Sequence, residues 1–225
     1  MNDLNKRAWI GLIALAVVLG LLLFLPVWSI NYWQAWVYIA NFFACSSAIT
    51  IYLMKHDTAL LQRRVKGGPA AEKEKTQKVI QSLAQFAFIA IFLVSAFDHR
   101  FGWSNTALYE IIGGNILVTS GFYIVLLVFK ENTFTSANIQ VADEQQVIST
   151  GPYAIVRHPM YSGALILLIG SPLALGSLWG LLAFIPIAVV IIWRLSDEEK
   201  FLSKNLSGYQ EYCEKVKYRL IPGVF

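Results

Sequence analysis

Apolar residues are gathered into long runs separated by short polar segments. Six runs approach the roughly 20 residues that a helix needs to cross a hydrocarbon core: Ala8–Trp28, Trp33–Met54, Ile80–Phe97, Leu108–Phe129, Tyr161–Leu175 and Ser177–Trp193. Backbone groups in lipid must be satisfied within the segment, so each run predicts a helix. The last two runs are short, with Pro172 and Gly176 where they meet. They predict a tight helical hairpin. The fold class expected is therefore an all-α integral membrane protein of about six transmembrane helices. The polar stretch Met1–Arg7 followed by an apolar run imitates a signal peptide, but no small-x-small cleavage site follows it, and it reads as a retained first helix.

Composition agrees with this pattern. The chain has 225 residues, 56% of them hydrophobic and only 14% charged, too few polar groups to cover a soluble domain of this size. Aromatic residues make up 14%, as suits helices anchored at headgroup depth. The net charge of +4 matters through its placement. Of the 18 Lys and Arg residues, Arg100 alone falls on the face opposite the rest when six passes are assumed. The positive-inside rule then puts both termini in the cytoplasm, together with Lys55–Gln81, Lys130–Met160 and Arg194–Phe225. The basic charge thus reads as membrane placement, with no nucleic-acid partner implied. The two cysteines, Cys45 and Cys213, have neither metal-ligand spacing nor a common depth, so no metal site is expected.

The chemistry-bearing residues collect in two places on that basic side. The first is GPYAIVRHPMYSG, Gly151–Gly163. Gly151-Pro152 marks a turn, and Pro159 suits the first turn of a helix, where its missing N–H costs nothing. Arg157 and His158 then stand at a helix N-terminus, whose free N–H groups favour an anion such as a carboxylate. The second is RLSDEE, Arg194–Glu199. If helix continues here, Arg194 and Glu198 share a face. A hairpin would bring the two clusters together: cations and a helix terminus on one arm, carboxylates on the other. Such a site suits a small molecule of mixed charge, of which S-adenosylmethionine is one. A dinucleotide would want a glycine-rich turn, and Gly113-Gly114 lacks the GxGxxG spacing. The central parts of the runs are nearly charge-free, which weighs against a transporter with a midplane site.

The pattern GPYxxxRHPxYxG, followed by a short apolar hairpin and then R-x-x-D/E-E-E, resembles the isoprenylcysteine carboxyl methyltransferase family, part of a wider group with the phospholipid N-methyltransferases. The resemblance runs from about Glu131 to the C-terminus, dividing the chain into N-terminal helices (1–130) and a methyltransferase-like region (131–225). It implies S-adenosylmethionine as cofactor and a membrane lipid or lipidated acceptor, prenylcysteine-like and carrying a carboxylate, as partner. By resemblance, the cofactor contacts are Gln145, Gln146, Val147, Ile148, Tyr153, His158, Pro159, Met160, Tyr161 and Glu198. Gln145 stands where many members have a His. Arg194 matches an arginine near the methyl-accepting group. Arg157 and Glu199 lie in the same motifs and complete the catalytic candidates. The cytoplasmic loop and tail are expected to form the cofactor site, with the acceptor arriving from the bilayer past Phe129, Trp179 and Trp193. The ending KYRLIPGVF also resembles the tail of sterol C14- and C7-type reductases, which use NADPH. That reading, and a phospholipid N-methyltransferase, stand as alternatives.

Overall fold

In the computed structural model, residues 3–66, 75–135 and 146–225 are described. Among them the regular structure is entirely helical, as the apolar runs predict. In chain order the helices are α1 (Asp3–Val27), α2 (Trp33–His56), α3 (Thr58–Lys66), α4 (Lys75–Phe101), α5 (Leu108–Glu131), α6 (Pro159–Ala174), α7 (Gly180–Asn205) and α8 (Tyr209–Lys215). Five of these, α1, α2, α4, α5 and α7, are long and apolar enough to cross a membrane. Helix α6 has 16 residues, which spans roughly 24 Å at the α-helical rise and falls short of a full crossing. Helix α7 continues well past Trp193, so Arg194, Glu198 and Glu199 are helical and follow the apolar span without a break.

The two ends of the bundle differ in chemistry. At one end, Ala8, Ile49, Leu53, Leu60, Leu61 and Phe129 form a cluster that ties the start of α1 to the ends of α2 and α5. The short amphipathic α3 lies over it, burying Leu60 and Leu61. Asp57 caps α3 by accepting from the Leu60 amide at 2.8 Å. The Thr133 hydroxyl also donates to Asp57, and Arg63 donates to the Thr133 carbonyl, which fastens α3 to the end of α5. At the other end, Trp28, Trp33, Trp36, Trp103 and Trp179 are exposed, an arrangement suited to a membrane–water interface. There the buried Asp98 accepts from the Ser104 amide at 2.7 Å and from the hydroxyls of Ser104 and Ser177 at 2.6 and 2.5 Å. Arg100 donates to the Pro26 carbonyl at this same end. The patch 97–104 is thus the last turn of α4 and its exit, a structural cap.

Helices α5 and α6 touch backbone to backbone. Gly114 and Gly121 on α5 face Gly170 and Gly163 on α6, each pair seven residues apart and so on one helix face. A Cβ on Gly121 would lie 2.6 Å from the Gly163 carbonyl oxygen, and one on Gly170 would lie 2.8 Å from that of Gly114. Small residues permit this approach, which in lipid replaces the hydrophobic drive that water supplies elsewhere. In this register the end of α5 meets the turn just before α6, with Glu131 against Gly151 and Asn132 bonded to Tyr153. Elsewhere polar side chains join the spans: Asn41 on α2 donates to the Asn115 side chain on α5 at 3.1 Å, and Tyr38 pairs with Ser171 at 3.0 Å. The central core draws on both portions of the chain, with Tyr38, Phe92 and Val118 packed in one cluster with Leu167, Leu168 and Ile187.

Candidate functional site

The turn before α6 is built by sequence-local chemistry. Gly151 has φ 55°, and a Cβ there would lie 2.8 Å from Glu131 Oε2. Glycine is therefore favoured at this position on two counts. A single 3-10 turn, Gly151–Ala154, follows, with Pro152 inside its first turn. It lifts Tyr153 between the end of α5 and α8: Asn132 donates to the Tyr153 hydroxyl at 3.0 Å, and the Tyr212 hydroxyl donates to the Tyr153 carbonyl at 2.8 Å. Burial pushes the Tyr153 hydroxyl above a tyrosine's ordinary range, keeping it a neutral donor. Pro159 opens α6 and His158 is its N-cap. The C-terminal segment straps this corner. The amides of Arg157 and His158 donate to the carbonyls of Tyr218 and Arg219 at 2.9 Å each, and the Ser162 hydroxyl donates to the Leu220 carbonyl at 2.7 Å.

Two carboxylates adjacent in sequence do different work. Glu199 is a largely enclosed hub. Its Oε1 lies 2.8 Å from Arg157 Nε and 3.2 Å from His158 Nε2, and its Oε2 lies 3.0 Å from Arg219 Nε. The Arg157 and Glu199 side chains are only 11% and 12% exposed. The guanidinium of Arg157 is thus engaged within the protein. Glu198 faces the other way. Its Oε2 accepts from the Tyr161 hydroxyl at 2.6 Å, and that hydroxyl in turn accepts from Arg194 Nε at 3.1 Å. Arg194 Nη1 also donates to Gln77 Oε1 at 3.2 Å, and Gln77 donates to Asp197. One turn of α7 therefore presents Arg194 and Glu198 together, held by a tyrosine from α6 and a buried glutamine from α4.

Tyr161, Arg194 and Glu198 line a cavity of about 550 Å³. Gln146, Val147, Ile148, Tyr153, Arg157, His158, Pro159, Met160, Tyr161, Arg194 and Glu198 all contribute to its wall. Glu199 is not among the lining residues and stands behind Arg157 and His158. Gln145 lies outside the described residues. The cavity continues from this polar end into the bundle, where Phe42, Phe88, Phe122, Leu167 and Leu168 form its walls. Trp179, Trp193 and Phe129, expected to flank the apolar entrance, do not line it. Trp179 is exposed at the opposite end of the bundle, Trp193 is exposed on α7, and Phe129 is buried beneath Arg64. The aromatic wall is instead made by α2, α4 and α5, which no local motif announces. Gln77, Asn132 and Arg64 are the polar groups that sequence reasoning passed over. Arg64 and Gln77 sit on α3 and α4, remote in sequence from the motifs, and Asn132 caps α5; packing brings all three in.

Among the described residues, a helical bundle with five spans of membrane length and a cavity running from a cluster of charged side chains into an apolar, aromatic wall define the class: a helical membrane protein with an internal cavity of mixed polarity. Comparison with known proteins is more particular. Residues 109–208 match the phospholipid methyltransferase family. Protein-S-isoprenylcysteine O-methyltransferase B of Arabidopsis thaliana is 26% identical over 144 residues, covering 61% of this chain and 66% of that protein. A probable protein-S-isoprenylcysteine O-methyltransferase of Oryza sativa subsp. indica is 32% identical over 84 residues, 35% of this chain and 42% of that one. A Delta(14)-sterol reductase of Mus musculus is 35% identical over 91 residues, 39% of this chain but 22% of the reductase. The resemblance read from the RHPxYxG and RLSDEE motifs is borne out, and the chain spans less than two thirds of the length of these relatives.

Proposed function

We propose that the chain is an S-adenosylmethionine-dependent methyltransferase whose acceptor is a membrane-associated, lipid-tailed molecule carrying a carboxylate. The observation that carries this is the two-part cavity: Tyr161, Arg194 and Glu198 at its polar end are continuous with the aromatic and aliphatic wall of Phe42, Phe88 and Phe122. A polar donor and an apolar acceptor tail fit its two halves.

The donor set suits the cofactor. Glu198 offers a carboxylate to an ammonium or to ribose hydroxyls, and Tyr153 offers a neutral hydroxyl. Gln146, Val147 and Ile148 run along the cavity wall, where their backbone amides and carbonyls would meet the cofactor. His158, Pro159 and Met160 complete the wall at the N-terminus of α6. When bound, S-adenosylmethionine supplies an electrophilic methyl: the acceptor carboxylate oxygen forms a C–O bond as the C–S bond breaks and sulfur keeps the electron pair, leaving S-adenosylhomocysteine and a methyl ester. A carboxylate acceptor needs no base, so the protein's work is alignment and exclusion of water. Arg194, held by Tyr161 and Gln77, faces the acceptor carboxylate. Arg157 and Glu199 act as positioning residues that fix the α6 corner through their mutual ion pair. In this reading residues 131–225 hold the donor, and the helices before 130 supply the acceptor channel. The cavity's polar end and both termini face the cytoplasm, on the side of the basic charge, and six segments traverse or enter the bilayer, with α6 and α7 as the closing hairpin.

The test is calorimetry on detergent-purified protein with S-adenosylhomocysteine and with NADPH. Binding of the first and not the second is expected, and the reverse would replace this reading with a reductase. The sterol reductase reading rests on the identity to the murine protein within a shared segment. A labelled methyl donor offered with an S-farnesylcysteine analogue and with phosphatidylethanolamine then separates carboxylate from amine acceptors, since a methyl ester is base-labile and a methylated amine is not.

A further inference from the structure

One cation in the cavity wall lies outside both motifs and outside the matched segment 109–208. Arg64 is in the last turn of α3. Its guanidinium carbon stands 5.3 Å from the centre of the Phe129 ring, and its side chain lines the same cavity as Arg194, Tyr161 and Glu198. The position is built, because three separate contacts hold α3: the Asp57 cap, the Arg63–Thr133 bond and the burial of Leu60 and Leu61. Among the described residues no carboxylate forms an ion pair with Arg64, whereas Arg157 has Glu199.

The exposed Arg64 guanidinium is a fixed positive charge in the wall of the cavity that Arg194 and Glu198 also line, and the sulfonium donor of the proposed reaction would add a further positive charge. An ammonium acceptor would be repelled by Arg64 and a carboxylate attracted to it. The apolar wall of Phe42, Phe88 and Phe122 takes a hydrocarbon tail. We propose that Arg64 is the acceptor-selecting residue of this cavity: it grips the anionic head of a lipid-tailed acceptor from the α3 side and so favours carboxylate acceptors over aminophospholipids. This rests on the methyltransferase reading.

The probes are N-acetyl-S-farnesylcysteine and its carboxamide, which differ only in the anionic group, measured by binding to the full chain in detergent with S-adenosylhomocysteine present. Wild type is expected to bind the acid at least about tenfold more tightly than the amide, as a charge-assisted pair requires. Arg64→Gln removes that preference while leaving the amide affinity and the S-adenosylhomocysteine affinity unchanged, and Arg64→Lys retains part of the preference. The unchanged S-adenosylhomocysteine affinity shows that the variant has folded. Should Arg64→Gln not fold, the acid-to-amide ratio in Arg64→Lys against wild type decides, and an unaltered ratio there overturns the proposal. No preference in wild type, an undiminished preference in Arg64→Gln, or binding of neither probe overturns it too. Failure of wild type to bind S-adenosylhomocysteine removes the methyltransferase reading itself, and this inference with it.

Discussion

The Tyr161 hydroxyl lies 2.6 Å from Glu198 Oε2 and 3.1 Å from Arg194 Nε, so one phenol joins the cation and the carboxylate of a single turn of α7. It donates to one and accepts from the other, which sets the rotamer of both. Removing the hydroxyl leaves two charged side chains to find their geometry alone. Tyr161→Phe is therefore expected to lower methyl transfer to an S-farnesylcysteine analogue by at least about tenfold, the worth of one hydrogen bond to a charged group, with folded yield retained. A wild-type rate in Tyr161→Phe would show that the triad is not part of the working site.

Arg194→Ala and Glu198→Ala carry the same logic to the charges themselves. Both are half-buried and line the cavity from within α7, where truncation removes polar contacts and little core packing, so turnover should fall far more than folded yield. Size-exclusion profiles and initial rates, measured on the same preparations, separate the two effects. Loss of folded protein with normal specific activity in the remainder would reassign both residues to structure.

Glu199 calls for the opposite result. Glu199→Gln leaves Arg157 largely buried without its counter-charge and removes a partner from Arg219. Breaking a buried pair from one side costs about 3 kcal/mol or more, seen as a clearly lowered thermal midpoint in detergent. A variant with the wild-type midpoint would contradict the positioning role.

The close contact of α5 and α6 predicts a sharp size limit. Gly121→Leu places a branched side chain where even a Cβ meets the Gly163 carbonyl at 2.6 Å. The helices must separate, at a cost of about 1–3 kcal/mol for overpacking, and the α6 corner moves with them. The expected outcome is a lowered thermal midpoint together with weakened S-adenosylhomocysteine binding. Gly113→Leu, where nothing lies within 4 Å of the added Cβ, serves as the control and should leave both unchanged.

Orientation is testable at two exposed positions at opposite ends of the bundle, Gln62 and Asn105. In a background with Cys45 and Cys213 replaced by serine, Gln62→Cys should react with a membrane-impermeant maleimide only from the cytoplasmic side, and Asn105→Cys only from the other. Labelling of both from one side would overturn the topology drawn from the basic residues.

The helical membrane class was legible in the sequence because hydrocarbon leaves a chain with few options: long apolar runs must be helices, and their lengths and flanking charges can be counted. The α6 corner was legible for a related reason, since Gly151, Pro152 and Pro159 act on their own backbone and need no distant partner. What Arg157, Glu198 and Glu199 face was not. Adjacent residues on a helix point about 100° apart, so Glu198 enters the cavity while Glu199 turns to Arg157, His158 and Arg219. The apolar lining also came from elsewhere than the expected tryptophans, because wall residues belong to whichever helices the Gly121–Gly163 contact leaves around the space. Arg64 and Gln77 join the site from α3 and α4 for the same reason: local propensity and side-chain chemistry are written residue by residue, whereas proximity between helices is decided only when their faces pack.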